Sequence, residues 1–366
     1  MLCALTPGQK LSTWEKMGTL DRELQPYKHY VNLGGNVTFL ELKLGRSPVP
    51  QGMSVVSLPN WRLLFAWARL PKVFLPKIDI IKTNQSFNAH LFVKLAQSWH
   101  LPIILRCGMV YGERIESVEG LTENSRRYQS QEAWAFQNCT LAEVPTYDLA
   151  EWVEANYLIP KEKIRIVPNF VDTQKFIPRN IQTFGTEMPL RIISVGRLNP
   201  IKRFDLLIQA CSKVCLPLLI AGQGQESENL LSLAKKIGVD LQLLGQIPHS
   251  QLPNFLQQGD IFVITSLREG HPKSVIEAMA CGLPCVCVDV PGIRNIIKNG
   301  VNGLLVDANP ISIASGINKL ISNPELRQQI GCSARDYAQK HFDIKEVLKM
   351  DAKVIDEALG LFNDKG

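Results

Sequence analysis

Two doubly wound α/β domains facing a central cleft are the architecture this sequence predicts, on three observations. Short apolar runs alternate with longer stretches of helical period along most of the chain, the pattern of parallel strands covered by helices. The length of 366 residues is enough for two cores. One break interrupts the rhythm: PNFVDTQKFIPRNIQTFGTEMP, Pro168 to Pro189, is rich in Pro, Asn and Thr and has no sustained period. The expected organisation is a Rossmann-like domain over residues 1–170, a linker over 171–189, a second Rossmann-like domain over 190–343, and a final helix over 344–366.

In the first half the apolar runs Leu2 to Leu5, Asn36 to Leu40, Ser54 to Leu58, Ile78 to Lys82, Ile103 to Arg106, Thr140 to Val144 and Ile164 to Val167 are short enough for buried strands. Between them, Thr19 to Val31, Trp61 to Arg69, Ala89 to Trp99, Asn124 to Phe136 and Tyr147 to Asn156 read as helices. Beyond the break the strands are Arg191 to Val195, Leu216 to Ala221, Leu241 to Leu244, Ile261 to Thr265, Cys285 to Val288 and Leu304 to Val306. They alternate with helices at Ile201 to Val214, Ser227 to Ile237, Gln251 to Gln257, Lys273 to Cys281, Ile311 to Ile321 and Pro324 to Lys340. Ile344 to Phe362 places its apolar residues on one helix face, as expected of a helix that crosses back to cover the first domain.

Composition narrows the class. Apolar residues at 45% and charged residues at 20% are ordinary for a globular protein and exclude collagen-like or disordered chains. No apolar run is long enough for a spanning helix and the start lacks a basic lead, so a cytoplasmic location is expected, with the inner face of the membrane as an extension of it. The nine scattered cysteines suit a reducing compartment, and Cys281, Cys285 and Cys287 lack histidines at zinc-site spacing. The net charge of +6 is uneven, with 13 basic against 5 acidic residues over 1–110 and 19 against 18 over 181–366. Such an excess fits nucleic acid, an anionic bilayer, an acidic small molecule, or merely a solvated surface. No nucleic-acid recognition module is recognisable.

In doubly wound sheets ligands bind beyond the carboxyl ends of the strands, so the loops of the second half matter most. Gly196 at a strand end allows close backbone approach, and Arg197 and Lys202, five apart across a turn, could converge on a diphosphate. Gly222 and Gly224 open the next helix in the same manner, but Ser227 stands where a dinucleotide fingerprint needs a third glycine. After the strand ending at Thr265, Gly270 and Pro272 form a turn into a helix whose free N–H groups make an anion or sugar-hydroxyl site. Glu269 before that helix and Glu277 within it could accept hydrogen bonds from sugar hydroxyls. Their bland readings are an exposed loop acid and a favourable charge near a helix start.

Taken together, Val195-Gly-Arg-Leu with Lys202, Glu269 and Glu277 with seven residues between them, Glu277-Ala-Met-Ala-Cys-Gly-Leu-Pro284, Val290-Pro-Gly-Ile-Arg294, Asn299-Gly-Val-Asn-Gly303 and Val167-Pro-Asn-Phe-Val-Asp172 resemble the family 4 glycosyltransferases of the GT-B fold. The resemblance implies retaining transfer of a hexosyl unit from a UDP- or GDP-sugar to a glycan or lipid-linked acceptor, in cell-envelope polysaccharide, lipopolysaccharide or glycolipid synthesis, with no cofactor and no metal in the chemistry. It implies that Arg197 and Lys202 clamp the diphosphate, Glu277 holds the ribose, Glu269 contacts the donor sugar, backbone around His271, Pro272, Lys273 and Ser274 holds sugar and phosphate, and Gln246 and Ile247 lie at the base. More loosely, Pro7-Gly8, Trp14 and Gly18 resemble the glycine-bearing loop and first helix over the donor phosphates. Arg106 stands where many relatives carry a His against the sugar, as in a subgroup with Arg-Cys-Gly-Met-Val-Tyr111 here.

Two alternatives are a nucleotide-sugar epimerase of similar fold and a catalytically silent GT-B subunit of a complex; the intact Arg197, Lys202, Glu269 and Glu277 argue against the silent one. His271 between the glutamates is a candidate general base, set against a loop histidine that supplies only backbone. His90, His100, His249 and His341 have no partner at a useful spacing. Trp61 to Lys77 combines two Trp with four basic residues and could lie on an anionic membrane, or simply pack as a crossover helix.

Overall fold

The computed structural model describes residues 1–45, 47–69, 77–110, 122–179 and 190–363. The linker residues 180–189, residues 70–76 of the Trp-rich basic stretch, and Tyr111 lie outside the described residues. The chain divides into two compact units, Met1–Pro168 with Leu348–Gly366, and Asn169–Val347.

The units divide at Pro168/Asn169 and Val347/Leu348, beside the expected boundaries at 170 and 343, and the expected boundary at 189 lies outside the described residues. The first part of the anticipated linker belongs to the second unit: Phe176 is buried in its core, and the Arg335 guanidinium holds the carbonyls of Thr173, at 2.8 Å, and Phe176. Proline and asparagine content hid a segment that is fixed by one buried ring and one guanidinium.

In the first unit seven parallel strands run in the order β3-β2-β1-β4-β5-β6-β7. They are β1 (Leu2–Ala4), β2 (Val37–Glu41), β3 (Met53–Ser57), β4 (Ile81–Thr83), β5 (Ile103–Arg106), β6 (Leu141–Val144) and β7 (Ile164–Ile166). The helices are α1 (Leu11–Lys16), α2 (Leu20–Asn32), α3 (Trp61–Ala68), α4 (His90–Trp99), α5 (Glu123–Asn138) and α6 (Tyr147–Tyr157). Thr122 and Thr146 cap α5 and α6 by accepting from the N–H three residues on, which fixes where these helices begin.

One face of this sheet is polar where apolar residues are expected. Lys82, on the central strand β4, is buried and donates to Glu143 Oε2 at 2.7 Å and to the Asp351 carboxylate. Arg106 Nε lies 3.4 Å from Glu143 Oε1, an ion pair too long to count as a good hydrogen bond. Asp351 sits on the terminal helix, so the network ties that helix to three strands. Burial would neutralise Lys82, but the two carboxylates hold its pKa above the usual value.

The second unit has six parallel strands in the order β10-β9-β8-β11-β12-β13: β8 (Ile192–Val195), β9 (Leu218–Ala221), β10 (Leu241–Leu243), β11 (Ile261–Ile264), β12 (Cys285–Val288) and β13 (Leu304–Val306). Strands β9, β11 and β12 are buried throughout, as their unbroken apolar runs require. The helices are α7 (Phe204–Val214), α8 (Ser227–Ile237), α9 (Leu252–Leu256), α10 (Lys273–Ala280), α11 (Pro291–Arg294), α12 (Pro310–Ile321) and α13 (Pro324–Phe342), followed by α14 (Ile344–Asn363). The helix expected from Ile201 starts instead at Phe204. A 3₁₀ turn over Pro200–Lys202 precedes it, and Arg203 adopts a left-handed conformation at φ 47°.

Replacing Lys82 by Met leaves Glu143 and Asp351 buried beside one remaining cation. Urea denaturation of that variant should show a loss of about 3–5 kcal/mol; a loss below about 1 kcal/mol, the range of an exposed pair, would mean the network is not structural.

Candidate active site

Strands β8 and β11 are neighbours at the point where the order of the second sheet reverses, so the loops that follow them lie side by side. They are stitched together. Leu267 N donates to the Ile201 carbonyl at 2.9 Å, and the buried Thr265 hydroxyl lies 2.9 Å from the carbonyls of both Lys202 and Arg203. The left-handed Arg203 is what presents those carbonyls. With the turn held, Lys202 reaches across the loops, its Nζ 2.5 Å from Glu269 Oε1, with side chains 19% and 9% exposed. Arg197, on the same loop, is exposed and has no side-chain partner among the described residues.

Glu277 lies in the second turn of α10 with its side chain 3% exposed. Its Oε1 is 2.9 Å from His249 Nε2, and the His249 ring packs on Phe176 at 5.4 Å. This corrects the reading of His249 as unpartnered: the two residues are 28 apart in sequence and meet only through the turn that follows β10. Glu269 and Glu277 therefore have different companions, a mobile ammonium and a packed imidazole.

The glycines expected to admit a ligand also admit neighbouring backbone. A Cβ on Gly222 would lie 1.8 Å from the Gly196 carbonyl, one on Gly224 2.2 Å from that of Leu198, and one on Gly292 2.2 Å from those of Glu269 and Gly270. Gly222 N also donates to the Gly245 carbonyl at 2.7 Å, which brings in the turn bearing Gln246 and Ile247. Gln246 is exposed and its Oε1 accepts from Gln223 Nε2 at 2.7 Å; Ile247 packs on the core.

His271 is buried, with its ring edge-on to Phe342 at 5.2 Å and its Nδ1 without a hydrogen-bond partner among the described residues. Burial, with Lys273 nearby, pushes its pKa down to about 3. A buried imidazole held neutral, with its ring against Phe342, is poorly suited to serve as a general base near neutrality. The residues that follow, Pro272, Lys273 and Ser274, open α10, and no side chain caps its first N–H groups. The remaining candidates belong to the first unit. Gly18, at φ 63°, is an exposed turn between α1 and α2 whose N–H donates to the Glu15 carbonyl at 2.9 Å. Arg106 is paired with Glu143 and has a side chain only 20% exposed. Among the described residues no cluster of His, Cys, Asp and Glu could hold a metal ion.

Two family descriptions match. Glycosyl transferases group 1 matches residues 177–337, and Glycosyltransferase Family 4 matches residues 28–175. The chain belongs to the family 4 glycosyltransferases. An uncharacterised glycosyltransferase of Methanocaldococcus jannaschii is 28% identical over 276 residues, covering 70% of this chain and 68% of that protein. The N-acetyl-alpha-D-glucosaminyl L-malate synthase of Bacillus anthracis is 25% identical over 199 residues, 52% of each chain; the match thus spans about half of that relative. Among solved structures, Anabaena HepE in complex with UDP and glucose superposes with a TM-score of 0.76 at 16% identity, covering 97% of this chain and 99% of that one, and establishes the GT-B fold. The family 4 chain is thus a glycosyltransferase whose second unit carries the paired glutamates.

The suppressed charging of His271 has a stability consequence. Its folded pKa of about 3 lies below the ordinary 6.5, so the unfolded chain binds the proton more readily, and stability falls as pH drops through that window. In denaturation at pH 6.5 to 5, His271→Phe should lose less stability than wild type, by up to about 1.4 kcal/mol per pH unit. Identical slopes would show that the ring is solvated.

Proposed function

We propose that the chain is a retaining glycosyltransferase that moves a hexosyl unit from a UDP- or GDP-sugar to a glycan or lipid-linked acceptor, in the building of cell-envelope polysaccharide or glycolipid. The observation that carries this reading is the Lys202–Glu269 ion pair between two stitched loops beside the start of α10, with Arg197 exposed on the first of those loops. As the sugar C1–O bond breaks, negative charge grows on the departing diphosphate. Arg197 offers a planar fork to its oxygens and Lys202 a point charge, both preorganised where that charge develops. Neutralisation by two cations requires no metal ion. The N–H groups at the start of α10 add a further positive potential.

Glu269 is suited to accept from donor-sugar hydroxyls, and it shares an ion pair with Lys202. Glu277, fixed by His249, is suited to the two ribose hydroxyls. The UDP and glucose named in the HepE complex, and the N-acetylglucosaminyl transfer named for the Bacillus relative, support a nucleotide sugar as donor. The Gly196-Arg-Leu and paired-glutamate set favours transfer over epimerisation, which needs an added acid and base around the sugar.

The acceptor side is basic. On α3, Trp61 is 49% and Leu63 43% exposed, with the Arg62 guanidinium 5.7 Å from the Trp61 ring. No helix among the described residues is long and apolar enough to cross a membrane. An aromatic and aliphatic tip beside cations suits peripheral contact with anionic lipid, where a lipid-linked acceptor would reside.

A panel of UDP-, GDP- and ADP-sugars, scored for slow donor hydrolysis without acceptor, tests the reading directly. Arg197→Ala should lower turnover on the hydrolysed donor about 100-fold or more with little change in melting temperature; near-normal turnover would remove the diphosphate role. For Glu277→Gln, calorimetry should show weaker binding of the nucleoside diphosphate. On the membrane side, the protein should float with anionic liposomes at low salt and Trp61→Ser, Leu63→Ser should abolish this; a wild type that stays in solution rules the contact out.

A further inference from the structure

Two segments unused by the reading above meet beside the donor loop. Asn169, in the Val167-Pro-Asn-Phe-Val-Asp172 motif, stands where the chain passes into the second unit, and Phe342-Asp343-Ile344 lies shortly before it passes out at Leu348. The two are laced together. Val171 N donates to the Phe342 carbonyl at 2.9 Å, Ile344 N donates to the Val171 carbonyl at 3.0 Å, and the Thr173 hydroxyl donates to the Asp343 carboxylate.

Both segments end on one residue. Asn169 Nδ2 donates to the His271 carbonyl at 2.7 Å, and the Phe342 ring stands edge-on to the His271 imidazole. Pro272 has no N–H, so the carbonyl is the sole polar group of the peptide between His271 and Pro272. His271 is 6% exposed, and a buried carbonyl left without a donor is costly. The plane of this peptide, followed by the fixed φ of Pro272, sets the direction in which α10 starts. It therefore sets where the N–H groups of Lys273 and Ser274 point.

We propose that Asn169 is a positioning residue for the donor: its side-chain amide, together with the Phe342 ring against the imidazole, holds the His271 carbonyl and so aims the first turn of α10 at the sugar and distal phosphate. The inference rests on the proposed reading of that loop as the donor site. It gives His271 a purpose that does not involve proton transfer, since its ring is the apolar surface that Phe342 braces. It also gives the Asn-bearing motif a role in the site although Asn169 contacts neither glutamate.

Two substitutions in the full chain test this. Asn169→Asp keeps the shape but cannot donate when ionised, and Asn169→Ala removes the group. Hydrogen–deuterium exchange without ligand should quicken over residues 270–276 in both, while strands β8 to β13 keep their protection. Exchange unchanged at 270–276, or raised across the whole second unit, would overturn the proposal. In calorimetry and steady-state assays with UDP and UDP-glucose, UDP affinity should fall only a few-fold, through the distal phosphate, while donor hydrolysis falls about tenfold to a hundredfold. Equal loss of both would mean a merely structural role. If the wild type hydrolyses no nucleotide sugar, the functional reading fails, and the exchange experiment still decides whether Asn169 holds the loop.

Discussion

The second unit's site depends on main chain packing against main chain. Gly222 on Gly196 and Gly224 on Leu198 bring the segments after β8 and β9 closer than any side chain would allow, and Gly292 on Glu269 and Gly270 does the same for those after β11 and β12. These contacts set the loops at the strand ends in fixed register, and the Thr265 hydroxyl locks two of them. Lys202 reaches Glu269 because the Thr265 hydroxyl and the Leu267 N–H hold the loops after β8 and β11 together. The glycines are thus structural first, whatever a ligand later gains from the exposed backbone.

Within that frame the two carboxylates are held differently, and the difference suits different tasks. Glu277 is almost fully enclosed and meets an imidazole that is itself packed on Phe176, so its position is over-determined. Glu269 meets a lysine, a point charge on a flexible stem that can be shared with an incoming anion. In the proposed reaction the rigid acid would register the part of the donor that does not react, and the exchangeable pair would sit where charge moves. In the same proposal Arg197, exposed and without a partner among the described residues, would donate to phosphate oxygens without first breaking an ion pair.

The fold was legible because its signal is periodic. Parallel strands buried on both faces must be apolar runs, and Ile261–Ile264 or Cys285–Val288 could be little else. Arg197, Lys202, Glu269 and Glu277 were legible through fixed spacings that residues on one loop or one helix preserve. What could not be read depends on distance in sequence: His249 with Glu277, Asn169 with His271, and Lys82 with Asp351, 269 residues away. The packing of residues 173–176 was not legible for a related reason. Pro, Asn and Thr are common in linkers, but here Thr173 and Phe176 supply carbonyls to one guanidinium, an interaction that leaves no periodic trace.

The uneven charge of the chain also changes meaning once partners are known. Lys82 and Arg106 both count toward the excess of 13 over 5 in residues 1–110, yet their compensating acids, Glu143 and Asp351, lie outside that window. A buried cation matched by a buried anion contributes little to the field that a distant partner feels. The cations that remain on the surface include Arg62, Arg69 and Lys77, and Arg62 lies over the exposed Trp61 ring, next to the exposed Leu63. The excess is smaller than the count over 1–110 suggests, and at Trp61 and Leu63 apolar tips stand next to a cation. Bare electrostatic attraction to a polyanion would need no such tips, whereas partition into a lipid interface uses both.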